Sequence, residues 1–153
     1  MAEIHRRDGH TITIHDGAGP AVVLLSGCAL NSGCWADVVA ALPGRRIITV
    51  DRPGYLGTAS AGLPSLPEQV RVLARILEEV EARPVIVVAH SMAAFQAEAL
   101  ARLRPRLVAG MVLVDPSAEP DPLLPLPGED PCARALTRAA GAAFGYAPVA
   151  ALA

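Results

Sequence analysis

The sequence predicts an α/β fold in which a mainly parallel sheet carries helices on both faces. Three observations lead there. Short runs rich in apolar and β-branched residues recur at 21–26 (AVVLLS), 46–51 (RIITVD), 85–89 (VIVVA) and 107–115 (LVAGMVLVD), with the length of buried parallel strands. Helix-forming stretches separate them, and strands alternating with helices give right-handed βαβ crossovers. At 153 residues and 52% hydrophobic content, the chain can bury one core.

Taken in order, HTITIH at 10–15 alternates strictly and follows Asp8-Gly9, so residues 3–7 and 10–15 pair as an antiparallel hairpin. The strand 21–26 ends at Gly27, and 35–42 forms a short helix after a turn at Asn31 to Gly33. The strand 46–51 runs into Pro53-Gly54. Ser65 and Glu68 stand at capping-box spacing ahead of Val70, Leu73, Leu77 and Val80, which line one helical face. After the strand from Val85, residues Ala93 to Leu103 contain no Gly or Pro and have helical composition. Six of the fourteen prolines lie between 116 and 131, so a linker is expected there, with a short Ala-rich helix over 131–143.

Composition excludes several functions. The net charge of −2 is scattered, with no basic stripe to neutralise phosphates, so nucleic acid is not an expected partner. All thirteen basic residues are Arg, which removes lysine bases and Schiff-base chemistry. Cys28, Cys34 and Cys132 are an odd set without a CxxC pair, which argues against a disulfide framework and a zinc site and fits a reducing cytoplasm. No metal or other cofactor is expected. The N-terminus MAEIHRRDGH places charges where a signal peptide needs apolar residues, and no run is long enough to span a bilayer.

The strand ending in Ser26-Gly27, the downstream Trp35, Asp51-Arg52-Pro53-Gly54, the Ala89-His90-Ser91-Met92-Ala93 turn and Val112-Leu113-Val114-Asp115-Pro116 together resemble the N-terminal half of an α/β-hydrolase, over roughly residues 10 to 120. The resemblance implies residues 1–120 as the N-terminal part of the hydrolase core, without its C-terminal strands, and 121–153 as a Pro-rich linker leading into a cap-like helical segment. It also implies a serine hydrolase acting on an ester or similar small acyl substrate, with Ser91 as nucleophile on a strand-to-helix turn. The oxyanion hole would be the backbone N–H groups of Cys28 and Met92. Ser26-Gly27 stands where the family usually has His-Gly, and Ala89 and Ala93 flank Ser91 where it usually has glycines. The plain alternative is a buried strand followed by a helix.

A serine needs a base. Of the four histidines, His90 adjoins Ser91 and points away from it, and His5, His10 and His15 lie in the first hairpin. In the family's strand order that hairpin is three strands away, or ~14 Å at ~4.8 Å per strand. Asp115 reads either as a turn residue before Pro116 or as the acid that would orient an imidazole, and Asp51 reads as a turn residue. The expectation is a truncated chain, inactive alone, that meets its histidine downstream or on another chain. The competing function is a non-catalytic module that binds a small ligand or partner in the same pocket. The strand 107–115, apolar on both faces and lacking an outer neighbour, is expected to self-associate.

Overall fold

The computed structural model describes residues 2–59 and 64–117. The chain opens with β1 (Ala2–Arg7) and β2 (His10–His15). Asp8 (φ 48°) and Gly9 (φ 75°) between them are both left-handed, the backbone that a two-residue type I′ hairpin requires. β3 (Ala18–Leu25) leads through a 3-10 turn at Ser32–Trp35 into α1 (Ala36–Ala41). There follow β4 (Arg45–Asp51), α2 (Leu66–Glu79), β5 (Val85–His90), α3 (Ala93–Leu103) and β6 (Val108–Val114). The linker over 116–131, the helix over 131–143, Cys132 and the proposed second segment 121–153 lie wholly or mostly outside the described residues.

The six strands form one sheet in the order β1-β2-β4-β3-β5-β6. The two pairings of β2 are antiparallel, and β4, β3, β5 and β6 run parallel. This is the mainly parallel sheet the alternating pattern predicts.

Among the described residues, its two faces are covered unequally. Because side chains alternate along a strand, Ile12, Val23, Ile48 and Val87 point to one face, where they join Val70, Leu73 and Leu77 of α2 and Ala97 and Leu100 of α3 in one large cluster. The register of α2 is set at its start, where the Glu68 carboxylate accepts from the N–H (2.9 Å) and hydroxyl (2.8 Å) of Ser65, holding its own pKa down. On the opposite face the described residues form a smaller cluster of Leu24, Trp35 and Ile47, with Val22, Val39 and Val88 packed against it. Next to β5, β6 is the last strand of the sheet among the described residues and leaves Met111, Val112 and Val114 39%, 49% and 40% exposed.

Candidate active site

The parallel strands β3, β4 and β5 end at one edge of the sheet, and the loops leaving them meet there. Ser91 sits between the end of β5 and the start of α3 with φ 53°. A left-handed backbone is costly for a residue with a Cβ, so surrounding structure must hold it. It is held by β6. The Ser91 N–H donates to the Val114 carbonyl at 3.0 Å, and the Ser91 carbonyl accepts from Ser117 N–H at 3.2 Å and from Ala94 N–H at 3.0 Å. The methyls of Ala89 and Ala93, which stand at the usual glycine positions, are fully buried in the main cluster, so this turn accommodates them.

Beside Ser91, Gly27 is a position with no room for a side chain. A Cβ there would lie 2.7 Å from Nδ1 of His90 and 3.0 Å from Cβ of Ser91, so a glycine at the end of β3 is what allows the next loop to pass beside Ser91. That loop turns through Ala29 (φ 57°), and Leu30 N–H donates to the Gly27 carbonyl at 3.4 Å. Ser26, in the usual histidine position, accepts from Nε1 of Trp35 at 3.1 Å and from the Cys34 thiol at 3.5 Å.

β4 supplies the other half of the loop's support. The buried Asp51 carboxylate accepts from Ser32 N–H and from Ser32 Oγ, both at 2.6 Å. Asp51 therefore anchors the loop across the sheet edge and is more than a residue of its own turn. Arg52 donates from Nη2 to the Gly27 carbonyl at 2.5 Å and lies over the Tyr55 ring, 5.5 Å from its centroid.

The remaining site residues fall as follows. Cys28 is half-buried with a free thiol, and Met92, half-buried, leads into α3. Asp115 is exposed at the end of β6 with φ 45°. No histidine hydrogen-bonds Ser91 among the described residues: His5, His10 and His15 lie in β1 and β2, with β4 and β3 between β2 and β5. The ring of His90 lies against Gly27. One neighbour has no signature in the sequence: Ser117, whose Oγ stands 3.5 Å from that of Ser91. Only the pairing of β5 with β6 brings it there. Among the described residues no three His, Cys, Asp or Glu side chains group as metal ligands, and no helix is long and apolar enough to cross a membrane.

Comparison with known proteins agrees with this architecture. Over 59 residues the chain is 41% identical to the pimeloyl-[acyl-carrier protein] methyl ester esterase of Nitrosomonas europaea, a match covering 38% of this chain and 23% of the esterase. Among solved structures, it is similar to Cfl2 from Burkholderia cenocepacia (26% identity, TM-score 0.68, covering 85% of this chain and 45% of that one). It is also similar to a putative lipase from Acinetobacter baumannii AYE (22% identity, TM-score 0.65, 76% and 42%). The chain thus spans less than half of each of these relatives. Residues 22–152 match the alpha/beta hydrolase family. With its parallel sheet, its strand-to-helix turn at Ser91 and this match over most of its length, the chain belongs to the alpha/beta hydrolase family.

Proposed function

We propose that these residues form the nucleophile side of a serine hydrolase acting on an ester or similar small acyl substrate, inactive until a histidine is supplied from beyond these 153 residues or by another chain. The observation that carries the reading is the left-handed backbone of Ser91, held by Val114 and Ser117 at the strand-to-helix turn. At a strand-to-helix turn, strain of this kind lifts the side chain above the sheet, where a nucleophile must be presented. The methyl ester cleaved by the Nitrosomonas relative, as its name states, supports the ester class.

In this reading Ser91 Oγ attacks the acyl carbonyl carbon while its proton passes to the supplied imidazole. The carbonyl electron pair moves onto oxygen, and the N–H groups of Cys28 and Met92 hold the oxyanion. Collapse of the tetrahedral intermediate expels the alcohol, which takes the proton from the imidazolium, and water then cleaves the acyl-serine by the same steps. Asp115 is the candidate to orient the imidazole, since β6 lies beside β5.

The test is Ser91 labelling by a fluorophosphonate, with and without added free imidazole. Little labelling of the chain alone, and labelling with imidazole that Ser91→Ala abolishes, is the expected result. No Ser91-dependent labelling under either condition would favour a non-catalytic module that binds a ligand in the same place. Fast Ser91-dependent labelling without imidazole would mean that one of the chain's own histidines reaches the serine.

A further inference from the structure

We propose that Arg52 is a positioning residue for the oxyanion hole, acting through the Gly27–Cys28 peptide. The inference rests on the reading of Cys28 N–H as an oxyanion donor. A peptide group is planar and trans, so the Gly27 carbonyl and the Cys28 N–H belong to one rigid plate and point in opposite directions. Whatever fixes the carbonyl aims the N–H. Nη2 of Arg52 donates to that carbonyl at 2.5 Å, and Leu30 N–H approaches the same oxygen at 3.4 Å.

Two consequences follow from a charged donor at this place. The plate cannot rotate about its flanking bonds without breaking a charge-assisted hydrogen bond, which is stronger than a neutral one. Electron density drawn toward the carbonyl oxygen also makes the N–H of the same peptide a better donor, as in any chain of hydrogen bonds. Asp51, the preceding residue, holds the far side of the same loop through Ser32, so Arg52 acts on a segment already fixed at its other end. The guanidinium is itself steadied over the Tyr55 ring.

The experiment uses the full 153-residue chain and needs no catalytic base. Dimethyl phosphate, a tetrahedral oxyanion, is titrated into nitrogen-15-labelled wild type, Arg52→Lys and Arg52→Gln, and the Cys28 and Met92 amide signals are followed. In wild type both signals move on titration. In Arg52→Gln the Cys28 nitrogen shifts upfield before any ligand is added, and dimethyl phosphate binds about tenfold more weakly, less than the full loss of a donor would cost. Arg52→Lys, which keeps the charge, separates a field effect from positioning: its affinity follows its Cys28 shift whether or not the ammonium reaches Gly27. Affinity that stays at the wild-type value while the Cys28 signal moves would overturn the inference and leave the oxyanion hole standing. Failure of both amides to respond in wild type would overturn the oxyanion reading, and this inference with it. Should Arg52→Gln not fold, the paired readings on Arg52→Lys decide.

Discussion

Among the described residues, the two faces of the sheet are built on different principles. The face under α2 and α3 is held by apolar volume: Ile12, Val23, Ile48, Leu73, Leu77, Val85, Val87 and Leu100 are buried in one continuous cluster. On the other face the apolar cluster is small, and the loop beside Ser91 is held by directional bonds from Trp35 to Ser26, from Ser32 to Asp51 and from Arg52 to Gly27. Apolar packing is non-directional and supplies stability. Hydrogen bonds each contribute less net free energy, but they fix orientation. One face therefore keeps the chain folded, and the other keeps the site in shape.

The largest test of that division is to remove the same kind of volume from each face. Leu77→Ala, at a fully buried position, is expected to cost about 2–5 kcal/mol in chemical denaturation. Val112→Ala, about half exposed on β6, should stay within about 0.5 kcal/mol. Equal costs would break the comparison.

Next in size is Asp51→Ala, which strips both bonds from Ser32 and should cost about 1.5–3 kcal/mol. Its sharper signature is a changed Ser32 and Cys28 amide environment with the α2 and α3 amides unmoved. A uniform spectral change would mean that the loop is not an independent unit.

A titratable ring on the well-covered face gives a pH test. His10 shares its face with Ile12 and Ile14, and burial lowers its pKa from 6.5 against the opposing pull of the Asp8 carbonyl, which its Nδ1 meets at 3.1 Å. The folded chain thus binds a proton at His10 less readily than the unfolded chain does. That contribution to stability is fully present above the unfolded value near 6.5 and is lost as pH falls from there through the lower folded pKa. His10→Gln should flatten this part of the stability profile. An unchanged slope would assign the acid sensitivity elsewhere.

At the edge, we expect β6 to pair with a second copy through its exposed strand. Val112→Lys should lower the sedimentation coefficient at tens of micromolar with little loss of secondary structure. A wild-type monomer would show that the edge is not available. A small effect of the opposite sign is expected from Thr49→Val: the Thr49 hydroxyl is buried on the thinly covered face without a hydrogen-bond partner among the described residues. Removing it should leave stability unchanged or raise it by up to about 1 kcal/mol.

The elements were legible in the sequence because each is specified locally. The left-handed pair Asp8-Gly9, the Ser65 and Glu68 spacing, and the apolar runs of β3 to β6 all state their conformation within a few residues. Ser91 was legible for the same reason, being defined by the strand before it and the helix after it. Its surroundings were not. Asp51 reads as a residue of its own turn, yet its partner is Ser32, nineteen positions earlier. Arg52 reaches Gly27 across twenty-five positions and Ser117 meets Ser91 across twenty-six. Such contacts are set by strand order and register, which local patterns do not encode. The uneven cover that the described residues give the sheet is likewise invisible in strands that are apolar throughout.

Trp35 offers a way to watch this region optically. It is the sequence's sole tryptophan, and its indole is buried on the thinly covered face with its N–H bonded to Ser26, the residue before Gly27. Ultraviolet emission from the native chain therefore arises mainly beside the loop, with no second indole to average against it. Ligand binding that shifts the loop should change emission colour or quenching while the far-ultraviolet dichroism stays constant. Global unfolding should move both signals together, so the chain carries its own reporter for telling a loosened site from a lost fold.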